Sequence, residues 1–200
     1  MRIHTIALGV VAILTAAVAQ AAPVCSTADL FAGNPLYEEP MDRASEGQGL
    51  LDNPPLGWRS LLFVEDKLVT TVGQEIWYTD LKAAKPVIKR LAGREDRSGR
   101  SVKPGSCPDA RFANIAGLAA KSDGSLVGAD QTGNNVFLVK DPFGTNCTVT
   151  YLAGTTKALD SVSPGSPPNV GDTDGPGTSA RFSLIDWPAV IDDNIYVIDE

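Results

Sequence analysis

The feature that most limits what this chain can fold into is the stretch Ala110–Gly154, ARFANIAGLAAKSDGSLVGADQTGNNVFLVKDPFGTNCTVTYLAG. It reads as four short strands, Ile115–Ala120, Ser125–Asp130, Asn135–Lys140 and Thr148–Ala153, punctuated by Ser122-Asp123-Gly124, Thr132-Gly133-Asn134 and Pro142 with Gly144. Asp-Gly is a strong hairpin signal because glycine accepts positive φ. No segment here has the length or the 3.6-residue period of a helix. Four successive antiparallel strands form a meander, and one meander of this size cannot bury both of its faces.

Weaker copies flank it. From Trp58, strands are expected at Leu61–Glu65, Leu68–Val72, Glu75–Asp80 and Val87–Ala92, with turns at Asp66-Lys67 and Gly73-Gln74. The endings Leu91-Ala92-Gly93 and Leu152-Ala153-Gly154 match, and Ala180-Arg181-Phe182 echoes Ala110-Arg111-Phe112. In the last copy Asp193-Asn194 is expected to take the hairpin turn, and Ile195–Asp199 matches Leu126–Asp130. A supersecondary unit repeated every roughly 40–70 residues, loops included, is the mark of a propeller or solenoid. Four strands per unit favour an all-β propeller of four-stranded antiparallel blades.

The run Ala-Arg-Phe, apolar strand, Asp-Gly, apolar strand ending in Ala129-Asp130, then Thr132-Gly133-Asn134-Asn135 resembles an NHL repeat. Gly171-Asp172-Thr173-Asp174-Gly175-Pro176-Gly177-Thr178-Ser179-Ala180-Arg181-Phe182 is similar to the linker between NHL blades in secreted bacterial proteins. The resemblance spans about Trp58 to Glu200. It departs from the pattern in the first copy, where Val72 stands in place of the strand-ending Asp and the Thr-Gly-Asn-Asn turn is missing. It implies a six-bladed NHL-like propeller with blades at residues 57–93, 110–154 and, in part, 180–200. About two and a half blades are encoded, whereas closed propellers need roughly four to eight. The remaining blades are expected from a longer form of the same chain, or from copies that assemble.

Residues 1–21 read as a secretory leader: Arg2 in the n-region, the apolar run Ile6–Val18, and Ala19-Gln20-Ala21 as a cleavage site. The apolar run is too short for a comfortable membrane span. The expected location is secreted or periplasmic. Val24 precedes Cys25 where a lipoprotein signal would carry a small residue, so lipidation is not expected. Residues 22–56 form a non-repeating preface rich in Pro and Gly, read either as an arm packing on the propeller or as a partly disordered linker.

Cleavage removes His4, the single histidine. Serine–histidine and cysteine–histidine chemistry is then excluded within these residues, and no catalytic residue, metal ligand or cofactor site is assigned. Asp172-x-Asp174-Gly175 begins like a calcium loop but lacks the later ligands. Three cysteines, Cys25, Cys107 and Cys147, enter a compartment where disulfides persist. The favoured pair is Cys107–Cys147, since both lie in loops of one unit; Cys25–Cys107 is the second choice.

With a formal charge of −7 the chain repels nucleic acid. From Lys89 to Lys103 it carries six positive and two negative charges, a solvated loop or an anion patch. Trp58, Trp77 and Trp187 lie in or beside strands, which favours blade packing over sugar stacking. Phe112 and Phe182 are expected as core anchors, and Asn146-Cys147-Thr148 fits a glycosylation sequon. The expected function is a non-catalytic module binding a protein or glycan. The alternatives are a divalent-cation-dependent, lactonase-like hydrolase with its site on other blades, as the resemblance allows, and a structural extracellular protein.

Overall fold

The computed structural model describes residues 58–94, 102–154 and 170–200, all within one compact unit. The leader, the preface with Cys25, most of the basic loop and the stretch 155–169 lie outside the described residues.

The fold is all-β with antiparallel sheets. The first sheet is a meander of β1 (Trp58–Val64), β2 (Lys67–Val72), β3 (Glu75–Asp80) and β4 (Ile88–Ala92), in the order β1-β2-β3-β4. The second has five strands: a short β5 (Gly105–Ser106), then β6 (Ile115–Ala120), β7 (Leu126–Asp130), β8 (Asn135–Lys140) and β9 (Thr148–Gly154), in the order β5-β9-β8-β7-β6. The third is a hairpin of β10 (Asp186–Ile191) and β11 (Asn194–Ile198).

Beyond one-residue differences at strand ends, four details depart from the sequence reading. β1 begins at Trp58, because a register shift between Trp58 and Leu61 lets the strand rejoin β2 after a bulge. The β1–β2 turn is Glu65-Asp66, since Val64 pairs with Lys67 and Glu65 takes a φ of 53°. The β10–β11 turn is Asp192-Asp193, with φ of 49° and 61°. Ile191 then pairs with Asn194 and Val190 with Ile195. That register puts Val190, Ile195 and Val197 on the covered face, and a one-residue slip would turn them all outward. β5 was not foreseen; two residues with no strand pattern add to the outer edge of β9.

The sheets stack face to face. Leu62, Val64, Val69, Ile76 and Leu91 of the first pack on Ile115, Leu118, Leu126, Phe137, Val139 and Val149 of the second. Phe112 closes this core, its ring centroid 4.5 Å from that of Phe137. The opposite face of the second sheet, with Val127, Ala129, Val136 and Leu138, covers Phe182, Ile185, Val190, Ile195 and Val197 of the third unit. Phe112 is fully buried, whereas Phe182 is only partly so. Gly128 lies directly under the Phe137 ring, where any Cβ would collide with it. The first strands are neighbours, with β6 between β1 and β10.

Candidate functional site

The densest polar cluster among the described residues sits where β7 ends. Asp130 is fully buried. Its Oδ2 accepts the N–H of Ala113 at 2.7 Å. Its Oδ1 accepts those of Asn114 at 2.8 Å and Gly133 at 2.9 Å. One side chain thus ties the entrance to β6 to the turn after β7. Burial pushes this carboxyl above the ordinary carboxylate range, while the three N–H donors pull against it. The same burial, with the Asp130 charge second, raises the Tyr151 phenol. The carboxylate accepts three backbone N–H groups and so holds the loop before β6 to the turn after β7.

The third unit repeats the device. Asp199 follows β11 as Asp130 closes β7, and it accepts the N–H of Ser183 at 2.6 Å. Ahead of each lies a short 3-10 turn, Cys107–Asp109 and Gly177–Ser179, followed by Ala-Arg-Phe. Arg111 and Arg181 each donate Nη1 to the carbonyls of two preceding residues, at 2.7–2.8 Å. The units are also joined alike. Ile115 donates its N–H to the carbonyl of Gly73 in the β2–β3 turn at 2.8 Å. Leu184 donates to Oδ1 of Asn134 in the β7–β8 turn at 3.0 Å. Gln131 adds a bond from Nε2 to Asp186 Oδ1 at 2.7 Å. Gly93 and Gly154, with φ of 85° and 86°, press against the carbonyls of Gln74 and Asn134 in the corresponding turns, where a Cβ would not fit.

Cys107 and Cys147 are joined at disulfide distance, with Cα atoms 5.4 Å apart. The Cys107 N–H donates to the Cys147 carbonyl at 3.0 Å, and the Gly93 N–H donates to the Cys107 carbonyl at 3.1 Å. This fastening therefore connects the end of the first sheet to the outer strand of the second.

The remaining candidates are scattered. Asp172 and Asp174 are exposed, and among the described residues no three His, Cys, Asp or Glu side chains converge as a metal site would need. Lys89 and Arg90 are exposed on β4, and Arg90 pairs with Glu75 at 3.0 Å. Asn146 is exposed in the loop before β9, its backbone N–H held by Asp141. No helix among the described residues is long and apolar enough to cross a membrane.

The tryptophans separate. Trp77 is buried in the first sheet, with only 3% exposed. Trp187 is 54% exposed. It lies at the register shift of β10 with a φ of 28°, against Gly117 of β6, which leaves room for the ring. Packing therefore accounts for Trp77 and does not absorb Trp187. The sequence signal was the small residue in β6, legible only once β6 and β10 are known to be neighbours.

No protein-family model matches the chain, and no curated protein matches it.

Proposed function

We propose that the chain is an exported NHL-like β-propeller, its blades built on the first sheet, the second sheet and the β10–β11 hairpin, acting as a non-catalytic module that binds a protein or glycan. The repeated stacking supports the blade reading: the same Asp after the second strand, the same Ala-Arg-Phe entrance, and first strands side by side. The Cys107–Cys147 pair supports export, because such pairs persist in oxidising compartments.

The observation that carries the binding reading is Trp187, an exposed ring held against a neighbouring strand. An aromatic face supported from behind is a platform for a sugar ring or an apolar side chain. Intrinsic fluorescence titrated with cell-envelope oligosaccharides and with fractionated envelope proteins tests it. Saturable binding is expected, weakened about tenfold or more by Trp187→Ala, or ~1.4 kcal/mol. No saturable change with any of these ligands overturns the reading. The hydrolase alternative draws on the family resemblance alone.

A further inference from the structure

Three buried side-chain atoms among the described residues have no hydrogen-bond partner: Trp77 Nε1, Asn135 Oδ1 and Tyr151 Oη. Trp77 stands apart on β3 of the first sheet. The other two belong to neighbouring strands of the second sheet, and four observations bring them to one place.

The first is the face they share. Phe137 and Val139 of β8 lie in the core against the first sheet, so Asn135, two residues before Phe137, is on that side as well. Leu126 lies in the same core, and Asp130, four residues further along β7, shares its face. Tyr151 packs against this core from β9. The second is register: Asp130 pairs with Asn135, and Tyr151 pairs with Phe137. The third is the bare Cα of Gly133. A Cβ there would stand 2.7 Å from both Asp130 Oδ2 and Asn135 Nδ2, so carboxylate and amide meet over the glycine. The fourth is the surroundings of the phenol. Tyr151 packs against Val102 and Ala113, and the Ala113 N–H donates to Asp130 Oδ2 at 2.7 Å. Burial first, and the Asp130 charge after it, raise this phenol.

The groups that meet there are complementary. Asn135 Nδ2 donates to the Gly133 carbonyl at 3.2 Å, which leaves Oδ1 as an acceptor without a donor. A phenol held in its protonated form is a donor. Asp130 Oδ1 accepts two backbone N–H groups and Oδ2 only one, so Oδ2 has capacity for another donor. A cation would meet three N–H groups and an O–H at this point. A small neutral molecule with one acceptor and two donors fits instead, and water is that molecule. Buried waters typically make about three hydrogen bonds to polar groups that have no other partner.

We propose that one water molecule is bound between β7, β8 and β9, accepting from Tyr151 Oη and donating to Asn135 Oδ1 and Asp130 Oδ2. It extends the Asp130 fastening, which already joins the entrance of β6 to the turn after β7, across to β9. The site depends on neither export nor an external ligand.

A crystal structure at a resolution that shows ordered solvent tests it, together with water-oxygen magnetic relaxation dispersion in solution. Density is expected about 2.7–3.2 Å from Tyr151 Oη and from Asn135 Oδ1. Tyr151→Phe is expected to lose that density and one long-lived water from the dispersion. Its folding equilibrium constant is expected to fall about fivefold. An empty position between the two atoms overturns the proposal, and so does a direct bond from Tyr151 Oη to Asn135 Oδ1. A variant that keeps the same water overturns it too, as does one at least as stable as the wild type, since losing an unpaired hydroxyl costs nothing. If Tyr151→Phe misfolds, as circular dichroism would reveal, the wild-type density decides.

Discussion

Where β2 ends in Val72, β7 ends in Asp130, and the two sheets are fastened differently along the same path. The second sheet closes its entrance with a buried carboxylate, ties its outer edge with Cys107 and Cys147, and reaches the third unit through the Asn134 side chain. At the matching turn of the first sheet a backbone carbonyl, that of Gly73, accepts the Ile115 N–H. Backbone path and stacking survive the loss of the side-chain devices. The repeat is therefore specified by alternation and turn placement, and the polar fastenings add stability and precision at chosen junctions.

The largest effect expected from breaking that asymmetry is at the cysteines. The pair closes a separation of 40 residues, so Cys107→Ser with Cys147→Ser should cost about 3–4 kcal/mol. Urea unfolding of the double variant, beside the reduced wild type, measures it. Next is Asp130→Asn, which leaves buried N–H groups facing an amide and should cost about 2–4 kcal/mol. Asp199→Asn weakens a single bond of the same kind, which the amide Oδ1 still accepts, at an exposed position, and below about 0.5 kcal/mol is expected. Equal losses in the two variants would show that burial is not what makes the device strong. The smallest is Asn134→Gly. Glycine keeps the φ of 48° but cannot accept from Leu184, so about 1 kcal/mol is expected. Hydrogen exchange at Leu184 should quicken, while exchange at Ile115, held by the Gly73 carbonyl, stays unchanged.

Much of the second sheet could be read before folding. Apolar runs bounded by the Asp-Gly and Thr-Gly-Asn turns placed Ile115–Ala120 and Asn135–Lys140 at their observed bounds. Turns were less legible where no glycine marked them. Glu65 and Asp192 enter the left-handed region because the sheet register demands it, which local sequence does not reveal. β5 could not be read, since Gly105-Ser106 is a strand only by virtue of the edge it covers. Of the candidate groups, the Cys107–Cys147 pair was named from its loops. The role of Asp130 was not, although its recurrence before the Asn134 turn was visible as pattern.

The sequence by itself determined the element type and the repeat, because short apolar runs and turn chemistry act over a few residues. Tertiary structure decided which faces meet. Val127 and Tyr196 occupy equivalent positions and look alike in sequence as apolar strand residues. One is buried and the other exposed because a neighbouring sheet covers only the first. Trp77 and Trp187 divide for the same reason. Burial is a property of the neighbour as much as of the residue, and neighbours are set by contacts far apart along the chain.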